Sequence, residues 1–426
     1  MPDPRTLESW LEYISTRHPA EIDLGLERVR VVHERMTGHD TSSGVPIRIT
    51  VGGTNGKGST CAFLERILAC AGYRVGCYTS PHLLRYNERV RIGLKEAGDA
   101  QLCEAFRVVE HARGDTPLTY FEFGTLAALW LFQRAALDVV VLEVGMGGRL
   151  DAVNIVDADC AIVVSVDLDH QAYLGNTREA IGYEKAGIFR NNRPAIFSET
   201  NPPQSLLEHA KNIGADLMIL GRDFGYTRLA HQWRFNGRSG KHSALPFPAL
   251  RGPYQLKNAS AAIAALDVLR DRLPVSQSDM KRGLLEVDLR GRFQVLPGQP
   301  TVILDVAHNP HAAQVLEDAL GSMGFYENTL AVFGMLKDKN IDGVIEAVYG
   351  RIDRWFVASL PGERGASFEL LHGKLQALGL GDRVRQFSDV GSAFLAAREA
   401  AGASDRILVF GSFYTVADAL RLLARR

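Results

Sequence analysis

The sequence has few features of secreted, membrane-bound or nucleic-acid-binding proteins. It contains only five cysteines in 426 residues, and their number and spacing match neither a zinc site nor a disulfide framework. We therefore expect reduced thiols that pack mainly inside the protein. The formal net charge is −1, so nothing indicates a basic surface for nucleic acid or for an anionic membrane.

Long apolar segments are also missing. Runs such as residues 125–132 are too short to cross a bilayer, and the first residues include acidic side chains rather than the apolar core of a secretion signal. We expect the protein to be cytoplasmic, to act on small molecules, and to have neither nucleic-acid nor membrane partners. Nothing in the sequence requires more than a monomer.

The sequence does have the composition of a globular α/β protein. Apolar residues make up 46% and charged residues 23%, and strand-like apolar runs alternate with helical patterns. A chain of 426 residues is too long for one compact core. Because Pro297, Gly298 and Pro300 interrupt the pattern, the predicted domains are residues 1–295 and 296–426.

Two strand patterns in the first domain end at polar side chains. Residues 139–142 lead to Glu143, and residues 161–166 lead to a polar segment that contains His170. Ligands of open α/β sheets bind outside the carboxyl ends of the strands, so these side chains are site candidates by position. We expect the two strands to be neighbours in the sheet. Residues 202–253, with scattered aromatic and basic side chains, predict peripheral antiparallel strands instead.

The most informative segment is the glycine-rich run of residues 52–60. Its glycines leave the backbone without side-chain obstruction, so several N–H groups can point toward one anion. Lys57 adds a mobile positive charge, and Ser59 or Thr60 offers a hydroxyl group to a metal ion. A strand pattern precedes the run and a helical pattern follows it, which favours a phosphate-binding loop over a plain glycine turn. Gly58 separates the lysine from the hydroxyl residue, unlike the standard nucleotide pattern.

Other polar side chains of the first domain have both a functional and a plainer interpretation. Glu143 offers a carboxylate to Mg²⁺, or pairs with Arg149. Ser80 offers a further oxygen ligand, or is a turn serine. His170 is a metal-ligand candidate because acidic residues surround it. Lys185, on spacing alone, is expected to be an exposed lysine at a helix end.

The second domain shows a new α/β series with its own polar strand ends. Its predicted strands are residues 302–304, 330–333, 355–358 and 407–410. Asp305 is placed to accept ribose hydroxyl groups with His308 nearby, or else forms an Asx turn before a helix. Arg292 supplies a planar cation that suits a phosphate group, and Ser412 ends the last strand.

Together these motifs resemble those of the Mur-type ATP-dependent amide ligases, and most closely the folylpolyglutamate synthases that also act as dihydrofolate synthases. The matching segments are residues 53–59, 79–83, 120–125, 142–154, 169–189, 258–266, 291–293, 305–310 and 411–413. They keep one order from about residue 11 to the C-terminus. The resemblance implies an α/β fold, with a Mur-ligase-like P-loop domain on a parallel sheet and a smaller Rossmann-like C-terminal domain.

The resemblance also implies roles for individual residues. The implied ATP-binding residues are Thr54, Asn55, Gly56, Lys57, Gly58, Ser59, Asn258, Arg292, Asp305 and His308, and the implied ligands of two Mg²⁺ ions are Ser59, Ser80, Glu143 and His170. The implied pterin- and folate-binding residues are Ile22, Asp23, Leu24, Thr119, Tyr120, Phe121, Glu122, Leu150, Asp151 and Ala152, with His308 and Ser412 for glutamate. Lys57, Glu143, His170 and Lys185 would be catalytic, Lys185 as a carbamate.

The implied reaction needs no nucleophile from the protein. A substrate carboxylate attacks the γ-phosphorus of ATP, and the amine of L-glutamate then displaces phosphate from the acyl phosphate. The substrates would be dihydropteroate and reduced folates, and the protein would supply positioning and charge neutralisation. ATP bound between the domains would imply closure that keeps water from the intermediate.

Three alternatives stay open at this point. A folylpolyglutamate synthase without the second activity would share nearly all of these motifs. A Mur-type ligase for a nucleotide-linked peptidoglycan precursor usually carries an additional N-terminal domain, for which Gly53 comes too early. A nucleotide-switched binding protein would leave the motifs around Asp305 and Ser412 unexplained.

Overall fold

The computed structural model of the chain describes residues 4–20, 22–38 and 46–424. These residues form two compact units. The first comprises the chain through Pro248 together with Leu256–Val287, and the second comprises Ala249–Gln255 together with the chain from Asp288 onward. The limits of 1–295 and 296–426 stay a prediction about the functional domains.

The first unit is built on an eight-stranded sheet, and helices alternate with its strands along the chain. Its elements in chain order are α1 (Leu7–Ser15), α2 (Glu27–Thr37), β1 (Ile47–Gly52), α3 (Lys57–Cys70), β2 (Val75–Tyr78), β3 (Val90–Ile92), β4 (Lys95–Glu96), α4 (Asp99–Arg113), α5 (Tyr120–Arg134), β5 (Val139–Glu143), β6 (Cys160–Val163), α6 (Gln171–Leu174), α7 (Arg178–Ala186), β7 (Pro194–Phe197), α8 (Gln204–Ile213), β8 (Asp216–Ile219), β9 (Gly225–Arg228), β10 (Trp233–Gly237), β11 (Gly240–Leu245), α9 (Gln255–Val268) and α10 (Gln277–Glu286). The strand order is β4-β3-β2-β5-β1-β6-β7-β8.

The central strands of this sheet are parallel and end at one edge. Val51 of β1 pairs with Glu143 of β5, and Tyr78 of β2 pairs with Leu142. Strand β5 is buried along its whole length, as expected for a strand covered on both faces. The carboxyl ends of β2, β5, β1 and β6 therefore lie side by side.

One predicted neighbour relation is wrong. Strand β1 lies between β5 and β6, so the strands that precede Glu143 and His170 are not adjacent. Apolar periodicity identifies a strand but carries no information on its place across a sheet. The strand that leads into the glycine loop occupies the middle position instead.

The prediction of antiparallel strands for residues 202–253 is partly confirmed. Strands β9, β10 and β11 form a three-stranded antiparallel sheet in the order β11-β10-β9. For the first part of this range the prediction is wrong. Helix α8 and strand β8 continue the parallel α/β series there, and β8 pairs in parallel with β7. The aromatic and basic residues that suggested antiparallel strands lie mainly after β8.

The second unit holds a six-stranded sheet in the order β12-β13-β17-β14-β15-β16. Its elements are β12 (Gln294–Leu296), β13 (Thr301–Leu304), α11 (Pro310–Gly321), β14 (Thr329–Phe333), α12 (Ile341–Val348), β15 (Arg354–Ala358), α13 (Phe368–Ala377), β16 (Val384–Phe387), α14 (Val390–Ala400), β17 (Arg406–Phe410) and α15 (Phe413–Ala424). The four predicted strands are confirmed. Strand β12, an antiparallel edge strand, spans the predicted domain boundary at residue 295, and neither β12 nor β16 was predicted.

The α/β fold class is thus confirmed in both units. The five cysteines are free thiols, and Cys70 alone among them is partly exposed, as expected for reduced residues packed inside. In the described part of the chain, no helix combines the length and the apolar character that a membrane span requires.

Candidate active site

The glycine loop joins β1 to α3 in backbone conformations that suit glycine. Gly53 has a φ of 145° and Gly56 a φ of 86°. A Cβ atom on Gly53 would lie 3.1 Å from the backbone nitrogens of Val164 and Ser165, and one on Gly56 would lie 2.6 Å from Oδ1 of Asn258. The loop therefore packs against the end of β6 and against α9, with no room for side chains at these two positions.

The segment after β6 fixes the loop by reciprocal hydrogen bonds. The backbone N–H of Thr54 donates to the carbonyl oxygen of Ser165 over 2.9 Å. The N–H of Asn55 donates to Oγ of Ser165 over 2.9 Å, and that hydroxyl donates to the carbonyl oxygen of Asn55 over 3.0 Å. Thr54 Oγ1 donates to the carbonyl oxygen of Asp167 and accepts from its N–H. Ser165 escaped the sequence analysis, although it is the first hydroxyl residue after a buried apolar run.

Lys57 begins helix α3, and its ammonium group lies over the loop. Nζ donates to the carbonyl oxygens of Gly53, over 3.0 Å, and Thr54, over 3.3 Å. The hydroxyl group of Thr60 donates to the carbonyl oxygen of Gly56 within the helix. A cation and the positive end of a helix dipole thus share one place, which favours a bound phosphate group.

Glu143 and Ser80 meet at the carboxyl ends of β5 and β2. The Glu143 side chain is 4% exposed, and its Oε2 accepts the backbone N–H of Ser80 over 3.1 Å. The alternative pairing with Arg149 is wrong, because Arg149 pairs with Glu184 over 2.8 Å. A buried carboxylate and a serine from the neighbouring strand end supply oxygen donors of the kind that suit Mg²⁺ or Mn²⁺.

His170 lies in the turn that follows β6. Its backbone is left-handed, with a φ of 51°, and its N–H donates to Oδ1 of Asp169 over 2.8 Å. The ring nitrogen Nε2 lies 3.9 Å from Oδ2 of the same aspartate. Such a backbone conformation is uncommon outside glycine and is enriched at functional sites.

Lys185 is buried, so the default expectation of an exposed lysine is wrong. It lies in the last turn of α7 and is 3% exposed. Burial lowers the pKa of Lys185 to about 7, with Lys57 acting in the same direction and Asp169 and Asp151 opposing both. The loop after β5 covers this end of the helix, since the N–H of Arg149 donates to the carbonyl oxygen of Glu184. Because the covering loop is distant in sequence, the burial of Lys185 could not be predicted from the residues around it.

The residues predicted to bind the pterin lie in three segments, which are residues 22–24, the start of α5 and the loop after β5. Glu122 and Thr119 make a capping box at the start of α5, with Glu122 Oε2 accepting the N–H of Thr119 over 2.7 Å. The Phe121 ring lies on the loop after β5, where a Cβ atom on Gly145 would approach it to 2.6 Å. In that loop, Asp151 accepts the N–H groups of residues 146 and 153, and burial raises its pKa to about 6.

Two arginines that the sequence analysis missed contact these segments. Arg28 donates to Oδ2 of Asp23 over 2.7 Å and to Oε1 of Glu122 over 2.9 Å, which places residues 22–24 beside the start of α5. The guanidinium group of Arg89 lies over the Tyr120 ring. The sequence did not indicate a role for Arg28, because single arginines on polar helix faces are common.

In the second unit, Asp305 lies at the end of β13 and is 7% exposed. It accepts the N–H groups of Phe293, over 2.7 Å, and Ala307, over 2.8 Å, so the Asx turn considered in the sequence is present. Burial raises the pKa of Asp305 to about 6. The centre of the Phe413 ring lies 5.0 Å from Cζ of Arg292 and 6.1 Å from the centre of the His308 ring.

The remaining predicted residue of this unit is Ser412, between β17 and α15. Its side chain is buried, and Oγ accepts the backbone N–H of Tyr414 over 3.2 Å. It directly precedes Phe413, so it belongs to the same cluster as Arg292 and His308. The sequence placed Asp305 and Ser412 after strands, and the structure confirms that placement, whereas Arg292 precedes strand β12.

Comparisons with known proteins agree with this division of the chain. Residues 51–266 match the family model described as the Mur ligase middle domain, and residues 291–413 match the Mur ligase glutamate ligase domain. The dihydrofolate synthase/folylpolyglutamate synthase of Escherichia coli (strain K12) is 46% identical over 420 residues, covering 99% of this chain and 96% of the relative.

Solved structures give the same result. Escherichia coli FolC in complex with DHPP and ADP superposes with a TM-score of 0.93 at 46% identity, covering 100% of both chains. A bifunctional folylpolyglutamate synthase/dihydrofolate synthase with Mn, AMPPNP and L-glutamate bound superposes with a TM-score of 0.90 at 44% identity, covering 99% of this chain and 100% of the other.

Proposed function

The chain belongs to the Mur ligase family, and we propose how its own residues carry out the reaction of that family's folate branch. The protein is an ATP-dependent ligase, a dihydrofolate synthase/folylpolyglutamate synthase. It adds L-glutamate to dihydropteroate and to the γ-carboxyl group of tetrahydrofolates, forming ADP and phosphate. The observation that carries this conclusion is the 46% identity over 99% of the chain.

In the proposed mechanism, an acyl phosphate joins two displacement steps. A carboxylate oxygen of the acceptor attacks the γ-phosphorus of ATP, and the bond to the bridging oxygen breaks to release ADP. The amine of glutamate then attacks the carbonyl carbon, phosphate leaves, and the amine gives up a proton to solvent. The protein lowers both barriers by positioning and by stabilising negative charge.

The glycine loop is assigned to the phosphates of ATP. The loop of residues 54–59 would surround them, and Lys57 would turn from the loop carbonyls toward the γ-phosphate. The charge of Lys57 opposes the charge that spreads over the transferred phosphoryl group. Asn258, whose amide lies against Gly56, would contact the same nucleotide.

The divalent metal is assigned to the carboxyl ends of β2, β5 and β6. We propose Mg²⁺, and two ions, with Ser59, Ser80, Glu143 and His170 as ligands. The buried Glu143 carboxylate beside Ser80 supports this choice, because Mg²⁺ is commonly held by one or two carboxylates together with substrate phosphates. When bound, the metal would neutralise charge on the phosphate oxygens.

Lys185 is assigned as a carbamate. Its Nζ would attack the carbon of CO₂, forming an N–C bond while a C=O electron pair moves to oxygen and a proton passes from nitrogen to solvent. Only the neutral amine reacts, and the pKa of about 7 makes that form available near neutral pH. The neighbouring Lys57 charge, which disfavours a lysine cation here, would favour the carbamate anion.

The organic substrates are assigned to the remaining groups. The pterin ring would bind between residues 22–24, the start of α5 and residues 150–152, where Arg28 joins the first two segments. In the second unit, Arg292, Asp305 and His308 would bind ATP, and His308 and Ser412 would bind glutamate. The monomeric state and the cytoplasmic location are part of the same proposal.

The experiment that tests this function uses the purified protein with ATP, Mg²⁺, L-glutamate and either dihydropteroate or a tetrahydrofolate. We expect phosphate to appear in step with each amide product. Activity with the tetrahydrofolate alone would remove the dihydrofolate synthase half of the assignment. Phosphate release that ignores both acceptors would contradict the whole of it.

A further inference from the structure

A largely buried ion pair between α3 and β3 is used by no step of the mechanism. Glu65 lies on α3, the helix that Lys57 begins, and Arg91 lies on β3. Arg91 Nε donates to both carboxylate oxygens of Glu65, over 3.0 and 2.9 Å, and Nη2 donates to Oε2 over 2.8 Å. The Arg91 side chain is only 18% exposed, and the Glu65 side chain only 6%.

The other end of the same guanidinium group reaches the loop that carries Ser80. Arg91 Nη1 donates to Oγ1 of Thr79 over 3.2 Å and to the carbonyl oxygen of Glu88 over 2.9 Å. Thr79 directly precedes Ser80, whose N–H donates to Glu143. One planar side chain therefore connects the helix of the phosphate loop to the residue next to a proposed metal ligand.

We infer that Arg91, held by Glu65, is a positioning residue that fixes Ser80 relative to the phosphate loop and so sets the affinity for the divalent metal. This inference rests on the proposed function, because it takes Ser80 and Glu143 as the metal ligands. A buried bidentate pair is rigid, and its fork geometry cannot be reproduced by lysine. Groups that hydrogen-bond directly to metal ligands orient them, and their loss typically lowers metal affinity by about 10–100-fold. Arg91 acts one residue further away, through Thr79, so we expect an effect at the lower end of that range.

The plainer interpretation is that the pair only stabilises the fold. The two interpretations differ in a measurable way, since a stabilising pair affects the melting temperature without changing how a folded protein binds metal. Arg406 of the second unit offers a matched control. It is also buried, and it donates to a threonine hydroxyl, Thr329 Oγ1, and to a main-chain carbonyl oxygen, that of Leu320.

The experiment measures Mn²⁺ binding in the presence of AMPPNP by electron paramagnetic resonance, with melting temperatures of the same samples. The proteins are wild type, Arg91→Lys, Thr79→Val, Glu143→Gln and Arg406→Lys. We expect Arg91→Lys to weaken Mn²⁺ binding about tenfold, and Thr79→Val by a smaller factor, while Arg406→Lys binds like wild type. Thr79→Val keeps the Glu65 pair intact and decides the question if Arg91→Lys does not fold.

Each outcome has one meaning. Weakened binding in the Arg91 and Thr79 variants, with an unchanged control, supports the inference. If Glu143→Gln loses Mn²⁺ while those two variants bind it like wild type, the inference is overturned and the proposed metal site stands. If Glu143→Gln itself binds Mn²⁺ like wild type, the proposed metal site fails and the inference fails with it.

Discussion

The two units hold their candidate groups in different ways. In the first, the loop, Ser80 and Glu143 are fixed by hydrogen bonds between segments far apart in sequence, such as Thr54 with Ser165. In the second, the Asp305 carboxylate is held by segments closer in sequence, through the N–H groups of Phe293, 12 residues earlier, and Ala307. A group that several distant segments hold cannot shift alone, which suits the alignment of reacting atoms.

This difference leads to an expectation about kinetics. Substitutions at the strand ends of the first unit should act mainly on kcat, because they disturb the reacting phosphate and its metal. Substitutions at the turn of the second unit should act mainly on KM, because the turn is proposed to bind ATP away from the bond that changes. The predictions below test that contrast, beginning with the largest effect.

Replacement of Lys185 should have the largest effect on turnover. We expect Lys185→Ala to lower kcat by about 10²–10³-fold, since an anionic group close to the reacting phosphate would be lost. Steady-state rates with saturating ATP measure this, and short carboxylic acids or bicarbonate in the buffer should restore part of the rate. Lys374→Ala is the control, because Lys374 forms an exposed pair with Asp342 in the second unit. Turnover of Lys185→Ala close to wild type would show that this lysine is only structural.

Glu143→Gln and Asp305→Asn compare the two units directly. The first should lower kcat by about 10²-fold, through weaker metal binding. The second should raise KM for ATP by about tenfold and leave kcat within a few fold, because one charge-assisted hydrogen bond is lost. Full Michaelis–Menten analysis in ATP separates these effects. A dominant kcat effect in Asp305→Asn would break the contrast between the units.

Arg28→Ala should act on the acceptor alone. Its guanidinium group joins Asp23 to Glu122, so its loss should raise KM for dihydropteroate by about tenfold and leave KM for ATP within twofold. Arg35→Ala, on the same helix, serves as the comparison, because Arg35 donates to carbonyl oxygens at the end of α4. Equal changes in both KM values would indicate general loosening of the first unit.

The smallest effect concerns stability and pH. The pKa of Lys185 is about 7 in the folded protein and near 10.5 in the unfolded chain, so between these values unfolding takes up a proton and stability rises with pH. Lys185→Met removes this dependence. In CO₂-free buffer its melting temperature should exceed that of wild type most at about pH 6, and the difference should shrink toward pH 10. A difference that is constant with pH would contradict the lowered pKa.

The sequence predicted the parts of the fold that local patterns encode. The glycine loop, the strand ending at Glu143 and the turn at Asp305 each carry their signal in a few consecutive residues, and all three are where the pattern placed them. The order of strands and the burial of Lys185 depend on contacts between distant segments. For that reason the neighbour relation of β5 and β6 and the exposure of Lys185 were predicted wrongly.

The same reason explains the residues that were missed. Ser165, Arg28 and Arg91 have ordinary sequence surroundings, and their importance appears only when the segment that each one contacts is known. The roles of Lys57, Glu143, His170 and Lys185 stay proposals. They combine a resemblance with a geometry that suits phosphate and metal.

The most direct test is a crystal of this protein grown with AMPPNP and Mn²⁺, with anomalous diffraction at the manganese edge. We predict a manganese peak within coordination distance of the Glu143 carboxylate and the Ser80 hydroxyl group, with the terminal phosphate of the nucleotide against Lys57. A nucleotide bound away from the glycine loop, or a manganese peak remote from Glu143, would contradict the proposed site.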